Sequence, residues 1–125
     1  NMSVSVFLKI KSVISILFGV GQLLAGSIIM PLYAVTLNRA GEMFMHWTGA
    51  FLLGIGLICW FSAKEGRSEL RQNVILSLFI CDSVGFVAAL LGQLAGVANA
   101  LGWLNVALFL VLALGLGYYR FMAKE

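Results

Sequence analysis

Charge is what this sequence has least of. Only 10% of its 125 residues are Asp, Glu, Lys or Arg, against roughly 25% in an ordinary soluble domain. Too little polar surface exists to coat a globule in water, and a soluble enzyme or nucleic-acid-binding domain is excluded. The net charge of +3 does not reopen that question, because membrane proteins gather basic excess in their cytoplasmic loops. Histidine occurs once and cysteine twice, in none of the zinc, haem or CxxC spacings. No metal, no cofactor and no nucleic-acid partner is expected. Proline also occurs once, so little interrupts a long helix.

What is abundant is apolar length: 62% of the chain is hydrophobic. The run Asn73–Gly96, NVILSLFICDSVGFVAALLGQLAG, is long enough to cross the hydrocarbon core as a helix. A single carboxylate, Asp82, lies near its middle. A charge at that depth costs at least ~2.5–3.5 kcal/mol on insertion scales, so it needs a partner or a purpose.

Four such runs imply an all-α, integral membrane four-helix bundle formed from one transmembrane domain over residues 1–125. The spans fall at about 12–30, 43–63, 73–96 and 101–119, with a polar loop at 64–72. Pro31 is expected to close the first span. Pro31–Glu42 reads as a short re-entrant or interfacial segment with a turn, and Ser68 as an N-cap. Asn1, ahead of Met2, is set aside. The basic start and apolar run resemble a signal peptide, but the run is too long for a signal core, so a retained span is expected.

Orientation follows from the bases. Lys9, Lys11, Lys64, Arg67, Arg71, Arg120 and Lys124 fall on one side and Arg39 alone on the other, which places both termini in the cytoplasm. The amphipathic aromatics agree. Tyr33, Trp47 and Trp103 fall at the outer boundary, and Trp60, Tyr118 and Tyr119 at the inner one. Lys11 and Arg71 are 60 residues apart, as are the two Ala-Lys-Glu triplets. That spacing suits two related hairpins, or chance recurrence in an apolar alphabet.

In lipid, small and polar residues mark the packed faces of a helix. Span one carries Ser12, Ser15, Gly19, Gln22 and Gly26, and span three carries Asp82, Gly85, Ala89, Gly92, Gln93 and Gly96. Span two offers Gly49, Gly56 and Ala63. Spans one and three are therefore expected to pack glycine to glycine. Gln22 lies eleven residues beyond Lys11 and Asp82 eleven beyond Arg71, which puts both about 16 Å above the cytoplasmic edge. A polar interior of Asp82 and Gln22, with Ser15, Ser83 and Gln93, is the expected ligand or register site. A second polar group, His46, Asn99 and Asn105 with Thr48, Arg39 and Glu42, collects near the outer end. It would line a vestibule or satisfy loop carbonyls. Cys59 and Cys81 differ in depth by about 7 Å, and an interaxial distance of about 8–10 Å puts them beyond disulfide reach. They read as two buried apolar thiols.

Several stretches carry a resemblance: WTGAFLLGIGLICWFSAK (Trp47–Lys64), DSVG (Asp82–Gly85), GQLAGVANALGW (Gly92–Trp103) and GLGYYRF (Gly115–Phe121). Together they resemble a family of small, four-span bacterial inner-membrane proteins, loosely DoxX-like. The resemblance implies a four-helix bundle and a bacterial inner (plasma) membrane, and no particular activity. Small multidrug transporters have the same span count but a carboxylate in the first span, where this chain has Gln22. Fluoride channels carry a first-span Gly and Arg signature absent here. The expected function is a binding or accessory module for membrane lipid, an apolar ligand or a partner membrane protein, the partner being another protein or a second copy in a homodimer. The alternative is a proton-coupled transporter or channel subunit using Asp82. An enzyme ranks third.

Overall fold

A computed structural model describes residues 3–123, and those residues form helices and connecting turns only. The helices are α1 (Val4–Leu24), α2 (Gly26–Leu32), α3 (Arg39–Lys64), α4 (Glu69–Leu94) and α5 (Gly102–Phe121). All but α2 are long and apolar enough to cross a membrane. The all-α class and the four spanning helices are as expected, and the chain is a multi-pass membrane protein. Exposed aliphatics line the outer faces, among them Leu17, Leu24, Val84 and Leu114. Water would not tolerate so much apolar surface, whereas acyl chains do. Lys124, and with it the second Ala-Lys-Glu triplet, lies outside the described residues, as does Asn1.

Contacts divide the chain into two compact units, Asn1–Lys64 and Glu65–Glu125. In the first, α1 and α3 form an antiparallel pair. A Cβ placed on Gly19 would lie 2.7 Å from both Gly49 O and Leu53 N, and one on Gly49 would lie 2.8 Å from Gly19 O. Here the backbones touch, which only glycine permits. Two turns nearer the start of α1, the Ser12 hydroxyl donates to Gly56 O at 2.7 Å. Farther along, Gly26 lies against Met45. The small-polar stripe of span one is thus a packed face, and within this unit it packs on span two. A short connection makes consecutive helices neighbours, and Gly49 and Gly56 present the matching surface.

Pro31 does not end the first span. The helix breaks earlier, at Ala25 (φ −130°, ψ 20°), and resumes as α2 with Pro31 inside its last turn. There the absent N–H breaks a single hydrogen bond near a terminus. The turn that follows is a Schellman closure: Ala34 N–H donates to Pro31 O and Val35 N–H to Met30 O. Its left-handed position is held by Ala34 at φ 56°. α4 closes the same way, Gly96 N–H to Gln93 O and Val97 N–H to Gly92 O, with glycine at φ 77°.

In the second unit α4 and α5 pair through rings seated on glycines. A Cβ on Gly85 would meet the Phe109 ring at 2.5 Å, and one on Gly117 the Phe79 ring at 2.9 Å. Ser68 caps α4, its hydroxyl accepting from Arg71 N–H at 3.0 Å. Ser3 caps α1 in the same way, accepting from Val6 N–H at 3.2 Å. α1 therefore starts eight residues before the apolar run, because a helix begins at its cap and not where lipid does.

Lys11 and Arg71, taken from the sequence as loop-level markers, are buried within helices, 3% and 4% exposed. Lys11 lies seven residues past the first residue of α1, and Arg71 two past that of α4. Gln22 and Asp82 lie at one depth only if both bases sit at the same edge. Counted from their own helix starts, Gln22 is about 27 Å along α1 and Asp82 about 20 Å along α4.

Candidate ligand-binding cleft

The break at Ala25 separates α2 from α1, and residues 35–38 then lead into α3. Asn38 fixes that start, its side-chain oxygen accepting from Gly41 N–H at 2.7 Å. Between these elements lies an open cleft of about 470 Å³. Its wall is mostly apolar: Leu23, Leu24, Met30, Pro31, Val35, Leu37 and Met45. Ser27, Thr36, Glu42 and His46 supply the polar lining. Glu42 and His46 are four apart on α3 and so share a face. Apolar walls with a few polar groups, in this size range, are the make-up of small-molecule sites. Two flexible thioethers give such a wall an adaptable shape.

The sequence pointed to His46 and Glu42 but not to the two methionines or the α2 segment. Their signal was present in the flanking glycines, Gly21 and Gly26, which bracket the break. Sequence alone did not separate a break at Ala25 from a stop at Pro31.

The other singled-out residues are placed as follows. Asp82 is 3% exposed, on the face of α4 that also carries Ile75 and Leu78. Ser15 is buried on α1, and Ser83 half-buried on α4. Gln22 is half-buried, and its Cβ lies 3.1 Å from where a Gly49 Cβ would be. Gln93 belongs to the α4–α5 turn, where its amide donates to Asn99 O at 2.8 Å and lies against Gly102. Asn99 braces the same turn, its side-chain oxygen accepting from Leu101 N–H at 3.0 Å. That pair satisfies loop groups. Asn105 is half-buried in the first turn of α5, and Thr48 donates within its own helix to Phe44 O.

Of the glycine positions, Gly19, Gly26 and Gly85 meet close neighbours, whereas a Cβ on Gly92 would meet nothing within 4 Å. Ala89 is half-buried. The stripe on span three is therefore not one continuous packed face. Cys59 is buried as expected, but Cys81 is exposed on α4, and the two form no disulfide. Cys81 lies in a mostly apolar run, and such a run does not reveal which face meets lipid. No cluster of metal-binding side chains forms among the described residues.

Compared with protein-family models, curated proteins and solved structures, the chain finds no match.

Proposed function

We propose that this chain is a small binding module of a bacterial inner membrane, with both termini cytoplasmic, that holds a lipid chain or other apolar molecule in the Ala25 cleft. It would serve a partner membrane protein or a second copy of itself. The observation that carries the reading is the cleft, about 470 Å³ with walls of Leu, Met, Val and Pro. Glu42 and His46 give it polar groups for a headgroup or amide. The seven-to-one distribution of bases favours the orientation, and the resemblance to small bacterial four-span proteins favours the source.

Native mass spectrometry of the full chain released from its own lipids tests this. A retained apolar adduct is expected, and it should be lost in Leu37→Trp and Met30→Trp, both of which fill the cleft. A bare protein, or an adduct held equally by both variants, defeats the proposal.

A second reading is supported by Asp82, a carboxyl buried within a spanning helix. Such residues mark ion and proton paths in many transporters. Reconstituted Asp82→Asn would then lose pH-dependent flux while keeping its fold. Under the binding-module reading there is no such flux to lose, and the cleft adduct survives the substitution.

A further inference from the structure

At one end of the second unit, the turn that starts α4 faces the last turn of α5 across an open cleft of about 530 Å³. Its lining is strongly polar and comes from both helices: Arg67, Ser68, Glu69, Gln72, Asn73 and Arg120. Two arginines therefore come to the lining from separate elements, with one carboxylate, Glu69, beside them.

Two features of this cleft ask for an anion. Arg120 Nε is buried and has no hydrogen-bond partner among the described residues. Its guanidinium carbon lies 5.2 Å from the Phe121 ring centre, and the residue as a whole is half-buried. Buried donors are normally paired, and one that is not calls for an explanation. The second feature is the helix start. Ser68 Oγ takes Arg71 N–H and Ser68 O takes Gln72 N–H. The amides of Glu69 and Leu70 are the ones a helix start leaves open, at the positive end of the α4 dipole. Arg71 has a different task, donating from Nη1 to Glu65 O at 2.8 Å, which holds the turn that carries Arg67.

We propose that this cleft is a phosphate-binding site, filled by the phosphate of a lipid headgroup or by free phosphate. A planar guanidinium with paired N–H donors matches phosphate oxygens better than an ammonium does. The site lies at the end of a pair of spanning helices, at headgroup level. Gln72 and Asn73 add neutral donors, and Glu69 sets a limit on how much negative charge the site accepts. The proposal concerns the second unit alone and stands apart from the Ala25 cleft.

The test uses the full chain in a neutral detergent. Binding is followed by calorimetry and by phosphorus NMR, with dihexanoyl phosphatidic acid, dihexanoyl phosphatidylcholine and inorganic phosphate as probes. Phosphatidic acid is expected to bind, to bind about tenfold more weakly in Arg67→Gln and in Arg120→Gln, and to bind more tightly in Glu69→Gln. Lys9→Gln, in the other unit, should leave the affinity unchanged. Arg67 is exposed, so its variant reports on the site even if Arg120→Gln unfolds. Inorganic phosphate binding as tightly as phosphatidic acid supports the site and names water as its source. Weak inorganic phosphate beside tight phosphatidic acid names the lipid. No binding of either, equal binding of phosphatidylcholine, or indifference to Arg67→Gln overturns the proposal.

Discussion

Gly19 and Gly49 meet backbone to backbone, each placed so that a Cβ on one would come within 2.8 Å of the other's carbonyl oxygen or of the next turn. No flexible side chain can yield there, since the obstructing atoms are main chain. Gly19→Ala and Gly49→Ala should each cost about 1–3 kcal/mol, as overpacking does elsewhere. Gly92→Ala and Gly54→Ala, where a Cβ meets nothing within 4 Å, should be neutral or gain up to about 1 kcal/mol from helix propensity. Thermal unfolding of the full chain in detergent reads the difference, and equal tolerance at Gly19 and Gly92 would be the contrary result.

Ser12 is completely buried, and its hydroxyl crosses to Gly56 O on the neighbouring helix. Ser12→Ala should lower stability by about 0.5–1.5 kcal/mol, the net worth of one such bond. Its effect and that of Gly19→Ala should add, because the two sites share no partner. A stability equal to that of the parent chain would show the bond to contribute nothing.

The two Schellman closures differ at the left-handed position, which is Ala34 in the first and Gly96 in the second. Because Ala34 holds a left-handed φ that its Cβ resists, Ala34→Gly should stabilise the protein by about 1 kcal/mol. Gly96→Ala should destabilise it by a similar amount. Opposite signs in the two melting-temperature shifts are the readout, and shifts of the same sign would contradict it.

Phe109 lies over Gly85 with its ring edge where a Cβ would go. Gly85→Ala should therefore weaken the second unit, and Phe109→Leu, which shortens the obstructing side chain, should recover part of the loss. The coupling in a double-mutant cycle should be about 0.5–3 kcal/mol. Additive effects would mean that the ring moves aside at no cost.

Much of this architecture was legible in the sequence because lipid imposes simple rules. Apolar length gave the four spanning helices, and the spacing of Ser12, Ser15 and Gly19 gave the packed face of α1. Ser68 announced the start of α4. The partner of that packed face was not legible, since Gly49 and Gly85 look alike when read as small residues on a stripe. Nor was the burial of Lys11 and Arg71, because a base near an apolar run looks the same whether it ends the helix or lies inside it. The Ala25 cleft escaped notice for a related reason. Its shape comes from one residue's dihedral angles, and alanine carries no signal for them.

Trp60 has the ammonium of Lys9 5.7 Å from its ring centre and that of Lys64 5.6 Å away. One cation comes from α1 and the other from the end of α3, so the indole is clasped by both arms of the first hairpin. An indole prefers the headgroup zone and ammonium groups prefer water, and this contact holds the two preferences at one level. The clasp works as a float line: a thinner bilayer is met by leaning of the first hairpin and not by lifting Trp60 out of the headgroup zone.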